Sequence, residues 1–245
     1  MVYHLLKKLY KHLPLSIRRL FFFGNKHYCP VCQSSLREFK TGGTIPRPHA
    51  LCPICGALER HRMVWTFFQK QTTLFASPAK RMLHIAPEPI FEQKFKKNPF
   101  LEYITADLFS PNVMITVDIT NIQYPNESFD IIYCSHVLEH VVEDQKAMSE
   151  LQRILTDTGW MVIQVPITVN KTFEDFSIVT PEERKKVFGQ EDHVRCYGPD
   201  IVERLQKANL QVRIITPEEL AEKNNLFYMG IPKNEIVFFC KKNIS

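Results

Sequence analysis

Three short apolar runs, each closing on polar residues, constrain this chain more than any other feature: Leu101–Asp107 (LEYITAD), Val113–Asp118 (VMITVD) and Phe129–His140 (FDIIYCSHVLEH). The first two end in an acid, and the third opens into a predicted helix. Runs of this length, rich in Ile, Val and Tyr, read as buried strands. They lie within a longer alternation. Arg81–Ala86 is a strand and Pro87–Lys97 a short helix with prolines in its first turn. Val142–Leu155 is an amphipathic helix, Asp157–Gly159 a turn and Trp160–Val165 a strand. Asp200–Ala208 is a helix, and Gln211–Ile215 and Glu235–Cys240 are closing strands. Residues 167–198 read as a long, polar, irregular insertion. Alternation of this kind predicts an α/β fold built on a doubly wound, mostly parallel sheet. Such a sheet binds ligands outside the carboxyl ends of its strands, so polar residues at those ends are the first candidates for function.

Ahead of the alternation stand two cysteine pairs, Cys29-Pro-Val-Cys32 and Cys52-Pro-Ile-Cys55-Gly56, 19 residues apart. Each pair is a turn that points two thiolates at one ion, and Gly56 relieves the backbone just after the second. Four thiolates form a closed tetrahedral structural zinc site with no position left for water. A redox role is disfavoured because both pairs precede the strand–helix pattern. The chain therefore divides into a basic amphipathic segment (1–28), a four-cysteine zinc ribbon (29–56) and an α/β domain (57–245).

With 245 residues, 44% hydrophobic and 23% charged, the chain has enough material for one such domain and a small appendage. A net charge of +5 is too weak by itself to argue for nucleic acid. No apolar run reaches the ~18 residues of a membrane-crossing helix, and the lysines near the start are followed by nothing resembling a signal peptide. Cysteines paired for metal suit a reducing compartment, so a cytoplasmic location is expected. Within Val2–Phe23, Leu5, Leu6 and Leu9 lie beside Lys7, Lys8 and Lys11, and Arg18 and Arg19 beside Phe21–Phe23. The segment fits either an interfacial helix resting on an anionic membrane, broken or kinked at Pro14, or a helix packed on the ribbon.

Two stretches carry a family resemblance. Ser128–Val141 (SFDIIYCSHVLEHV) resembles the fourth strand and following helix start of the class I S-adenosylmethionine-dependent methyltransferases of the type 11 group. Leu151–Val165 (LQRILTDTGWMVIQV) is similar to the family's L-x-R-x-L-x-x-x-G helix end and fifth strand. The resemblance covers residues from about 80 to 245 and implies a Rossmann-like methyltransferase sheet that binds S-adenosylmethionine. It implies that Asp107, with Leu108, holds the cofactor ribose, and that Asp118 and Ile119 meet the adenine. The family's first loop is usually glycine-rich, because glycines let the backbone approach the cofactor. Here it reads His84-Ile85-Ala86-Pro87-Glu88-Pro89, with no glycine and two N–H donors removed by proline. Either His84 or Glu88 substitutes in a differently shaped loop, or the cofactor has been lost. Arg60 is a candidate partner for the methionine carboxylate, and a solvated helix face is the alternative.

Methyl transfer from a sulfonium needs alignment, and a base only where the nucleophile carries a proton. Ser135 and His136 at the fourth strand end, Glu139 and His140 just beyond, and Asp192, His193 and Arg195 in the insertion are the candidates. His136, His193 and Asp192 are those placed in catalysis, and Ser135 in cofactor binding. Cys134-Ser135-His136 lacks the Asn/Asp-Pro-Pro-aromatic motif that grips planar amines, which argues against nucleobase methylation. The expected acceptor is an oxygen or nitrogen of a small molecule or glycan. Two alternatives stay open: an RNA-directed methyltransferase, disfavoured by a ribbon poor in Lys and Arg, and a non-catalytic scaffold on a degenerate fold.

Overall fold

The computed structural model describes residues 14–243. The chain forms two compact units: residues up to Thr73 with Thr216–Ile236, and Leu74–Ile215 with the chain from Val237 on.

The second unit is built on a seven-stranded sheet, whose strands we number within it: β1 Lys80–Ile85, β2 Leu101–Asp107, β3 Ile115–Thr116, β4 Phe129–Ser135, β5 Leu155–Gln164, β6 Leu210–Ile215 and β7 Val237–Lys242. Their spatial order is β6-β7-β5-β4-β1-β2-β3. Pairing from β5 across to β3 is parallel, and β7 runs antiparallel to both β5 and β6. The inner strands β1, β4 and β5 are buried at Met82–Ile85, Ile131–Ser135 and Gly159–Gln164, chiefly by apolar side chains, as a sheet covered on both faces requires. Strand order reverses between β1 and β4. That switch point is where an open sheet leaves a crevice for a ligand.

Several expected boundaries shift. The turn expected at Asp157–Gly159 is an irregularity inside β5, where the register slips between the Phe129/Leu155 and Ile131/Trp160 pairs. The chain after β4 does not open directly into an α-helix. His136 adopts φ +55°, and a single 3₁₀ turn at Leu138–His140 follows before the helix Asp144–Ile154. The insertion holds a helix, Pro181–Phe188, started by Thr180, whose hydroxyl accepts from Glu183 N–H at 3.3 Å, and ended by Gly189 in the left-handed region. Pro at the first helical position, acids in the first turn and a closing glycine are all helix signals. The apolar period is missing because only Phe188 is buried.

In the first unit, two small hairpins (His27–Cys29 with Ser34–Leu36, and Lys40–Gly42 with Arg47–Leu51) carry the cysteine pairs. Each pair closes in the same way. Gln33 N–H donates to Cys29 C=O at 2.8 Å and Gly56 N–H to Cys52 C=O at 2.9 Å, and both residues take positive φ. The helix Glu59–Gln71 follows, anchored at its start by a two-point Arg47–Glu59 pair at 3.1 and 2.9 Å. Arg62 on that helix is fully buried. Its guanidinium donates to the carbonyls of Ala50, Ala57 and Gly230 at 2.7–2.8 Å and lies over the Phe39 ring. A Cβ at Gly230 would come within 2.5 Å of that ring, so only glycine lets the carbonyl reach Arg62. The helix Leu15–Phe22 starts just after Pro14 and buries no residue. Arg18 and Arg19 donate to the carbonyls of Pro53 and Cys32, while Leu20, Phe21 and Phe23 are exposed. Residues 2–13 of the expected interfacial segment lie outside the described residues. Among the described residues no helix is long and apolar enough to cross a membrane.

Candidate functional site

Parallel register brings the candidate strand ends level. Ile85 pairs with both Ala106 and Cys134, Asp107 with Thr116, and Ser135 with Gln164. Ala86 and His136, just beyond β1 and β4, both have positive φ (+48° and +55°). Left-handed backbone is unfavourable for a residue with a Cβ, so it persists only where surrounding structure imposes it. Here it turns the chain sharply at both strand ends bordering the switch point. Ala86 therefore occupies a conformation that glycine would adopt without strain, although the loop holds no glycine.

Asp107 stands at the end of β2. Its Oδ1 accepts the backbone N–H groups of Phe109 and Ser110 at 2.7 Å each, which leaves Oδ2 outside the turn. Leu108 beside it is exposed. Asp118 is exposed and accepts both the N–H and the hydroxyl of Thr120 at 2.8 Å, while Ile119 is buried. Both acids are thus oriented by short local turns rather than by ion pairs. At the end of β1, Tyr133 O–H donates to Glu88 Oε2 at 2.9 Å. Ser135 is buried, and its hydroxyl lies 3.4 Å from Gln164 Oε1. Pro87 and Pro89 flank Glu88 and offer no N–H. Arg60 is the second residue of the helix Glu59–Gln71, in the first unit.

His84 is in the core rather than at the strand mouth. It is 0% exposed, with Nδ1 2.8 Å from the Tyr103 hydroxyl and its ring among Phe95, Tyr103 and Tyr133. Burial lowers its pKa to about 4. Since the ordinary value is near 6.5, the unfolded chain takes up this proton first as pH falls. The native state therefore keeps the full benefit of a neutral His84 above about pH 6.5 and loses it progressively down to about pH 4. Urea titrations across that range should show an acid-dependent loss of about 3 kcal/mol that His84→Gln removes. An identical slope in the variant would rule His84 out as its source.

The other candidates converge. The 3₁₀ turn after β4 carries Glu139 and His140, and the insertion brings His193 against them. One ligand atom from each of the three lies within 4.8 Å of the others. His140 and His193 stack edge to face, and His140 Nδ1 lies 3.2 Å from Asp192 Oδ2. His136 Nδ1 lies 3.2 Å from Glu139 Oε1, although neither carboxylate oxygen has a hydrogen-bond partner. Desolvation, together with the neighbouring His140, holds the pKa of His193 below the ordinary histidine range.

Arg195 does not face the site. It is buried and donates to the carbonyls of Leu138, Val141 and Val142 and to Glu174. Asp144 accepts from Tyr197 O–H at 2.6 Å and from two Arg204 nitrogens at 2.7 and 2.9 Å. These residues, apart from Arg195, are not legible as a group from sequence, because they are joined only across dozens of residues. Burial likewise pushes the Cys134 thiol up, away from nucleophilic chemistry.

The four ribbon cysteines form a second cluster. Sγ of Cys29 lies 3.7 Å from that of Cys55, and Sγ of Cys32 lies 3.8 Å from that of Cys52. Tetrahedral zinc with Zn–S bonds of about 2.3 Å requires S···S separations of about 3.8 Å, so the cluster fits such an ion.

Residues 77–163 match the family described as "Methyltransferase domain". The match covers about a third of the chain and lies within the second unit. The central sheet is the Rossmann-like methyltransferase fold, preceded by a cysteine cluster. Among solved structures the chain is similar to an S-adenosylmethionine-dependent methyltransferase from Mesorhizobium loti, with 13% identity, 72% of this chain and 95% of that one covered, and a TM-score of 0.48. It is also similar to the 1,6-didemethyltoxoflavin-N1-methyltransferase of Burkholderia thailandensis, solved with S-adenosylhomocysteine (12% identity, 68% and 72% covered, TM-score 0.48). A third is an S-adenosylmethionine-dependent methyltransferase from Thermotoga maritima (14% identity, 69% and 84% covered, TM-score 0.43). No curated protein matches the sequence.

Proposed function

We propose that this protein transfers the methyl group of S-adenosylmethionine to an oxygen or nitrogen of a small-molecule or glycan acceptor, and that its four ribbon cysteines hold a structural zinc ion. The observation that carries the reading is the pair of acids, Asp107 at the end of β2 and Asp118 two residues beyond the neighbouring edge strand β3. When bound, the cofactor supplies a methyl group on a positively charged sulfur. Asp107 Oδ2 takes the ribose hydroxyls, Asp118 the adenine amine, and Ile119 gives the ring an apolar wall. The turned backbone at Ala86 and His136 lies at the two strand ends that border the switch point, where the cofactor would sit. His136 and His193 are the groups placed to accept a proton from the acceptor, and a neutral imidazole is suited to that task near pH 7. A cytoplasmic location, with peripheral membrane contact through the exposed Leu20, Phe21 and Phe23, belongs to the same proposal.

The prolines of the first loop favour one competing reading, a scaffold that no longer binds cofactor. Calorimetric titration of zinc-loaded protein with S-adenosylhomocysteine separates the two. Micromolar binding is expected, and Asp107→Ala should weaken it at least ~100-fold by removing a charged hydrogen-bond acceptor (about 1.5–3 kcal/mol for each such bond). Heat-silent titration of well-folded protein would leave the scaffold reading in its place.

A further inference from the structure

We propose that Glu139, His140 and His193 form a second metal site, distinct from the cysteine cluster, that binds a divalent transition-metal ion at the carboxyl end of β4. Glu139 is 1% exposed, and neither of its carboxylate oxygens accepts a hydrogen bond. An isolated buried carboxylate costs several kcal/mol and is retained only where a cation or donors satisfy it. Nearby cations do not serve. Arg195 spends its guanidinium on three carbonyls and Glu174, and Arg204 is bound to Asp144 and Glu174. His136 approaches Oε1 at 3.2 Å without hydrogen-bond geometry.

His193 supplies the complementary observation. It is 5% exposed, and its Nε2 is buried without a partner. In a metal-bound histidine one ring nitrogen turns its lone pair to the ion, and the buried, unpartnered Nε2 of His193 is available for that role. The backbone adds a further tie, since Val194 N–H donates to Glu139 C=O at 2.9 Å.

The donor set selects the ion. Two imidazoles and one carboxylate suit Mn²⁺, Fe²⁺, Co²⁺ or Zn²⁺ better than Ca²⁺ or Mg²⁺, which prefer all-oxygen shells. Ligands sharing an ion at about 2.1 Å lie about 3–3.5 Å apart, so the present spacing needs a small contraction. His136 and Asp192 border the cluster, and three protein ligands leave positions open. An acceptor oxygen occupying one of them would lose its proton more readily, and His193 would then act as a ligand rather than a base. That catalytic role rests on the methyltransferase reading, whereas the site itself does not.

The test is a Mn²⁺ titration of the zinc-loaded, full-length protein followed by electron paramagnetic resonance, with Co²⁺ absorption as a second probe. Mn²⁺ avoids thiolate sites, so it reports the Glu139 site alone. Saturable binding is expected, weakened roughly tenfold or more by His193→Ala and by Glu139→Gln. The partly exposed His140→Ala serves as a further variant should Glu139→Gln fail to fold. Asp107→Ala should bind Mn²⁺ normally, and His193→Ala should still bind S-adenosylhomocysteine. Absence of Mn²⁺ and Co²⁺ binding beyond the ribbon, or binding indifferent to all three substitutions, overturns the site. Mn²⁺ binding without S-adenosylhomocysteine binding would overturn the methyltransferase reading and leave the site standing.

Discussion

Treatment with a strong chelator, or Cys52→Ser, is expected to remove the proposed zinc ion from the four-cysteine cluster and unfold the hairpins that carry it. Amide protection should be lost across residues 27–51 and retained in β1, β4 and β5. A four-thiolate zinc site contributes on the order of 10–16 kcal/mol of apparent binding energy at neutral pH, and a whole domain is stable by only about 5–15 kcal/mol. The ribbon's own core consists of a few residues, chiefly Val31, Leu36, Phe39, Ala50 and Ile54. Its hairpins have strands of three to five residues, too short to persist alone. Buried Arg62 would then be left holding carbonyls of a segment without a fixed shape. Hydrogen exchange read by mass spectrometry, with metal content measured alongside, is the check. Unchanged protection in metal-free protein would mean that the cysteines are packing residues and that no structural ion is needed.

The second large effect concerns Asp144. Asp144→Ala should destabilise the sheet unit by about 3–5 kcal/mol, because it removes the buried carboxylate that Arg204 and Tyr197 bind and leaves buried Arg195 and Arg204 with Glu174 as their one remaining acid. The Tyr197 hydroxyl, whose pKa burial already raises well above the usual tyrosine range, loses its acceptor as well. Asp144→Asn keeps the shape and should cost less. The damage should also reach the candidate site. Arg195 ties the insertion to the carbonyls of Leu138, Val141 and Val142, the turn that carries Glu139 and His140. Limited proteolysis within residues 167–198, with the urea midpoint measured in parallel, reads both consequences. A stable variant with a protease-resistant insertion would show that Arg195 and Arg204 manage with Glu174 alone.

How far the sequence reaches follows from the range of each interaction. The strands, the acids at the ends of β2 and β3 and the two cysteine pairs are legible because each is written within a few adjacent residues. Alternating apolar runs encode burial, and a C-x-x-C turn encodes its own geometry. The helix Pro181–Phe188 escapes a reading by apolar period because it buries only Phe188, although Thr180, Pro181 and Gly189 mark its ends. His84 reads in sequence as both the end of a strand and the start of the cofactor loop, and the structure puts its ring in an aromatic core.

The sequence by itself determined a mostly parallel α/β sheet, the strand ends that are its candidate ligand site, and a four-cysteine cluster ahead of it. Only the tertiary structure decided that the buried Glu139 carboxylate accepts no hydrogen bond, that His193 lies beside it with a buried, unpartnered Nε2, and that Arg195 is a structural tie. Those facts depend on residues that are far apart along the chain, Arg195 and Val142 being separated by 53 positions. No local pattern encodes such a contact, because whether a charge is satisfied depends on which distant segment the fold lays beside it.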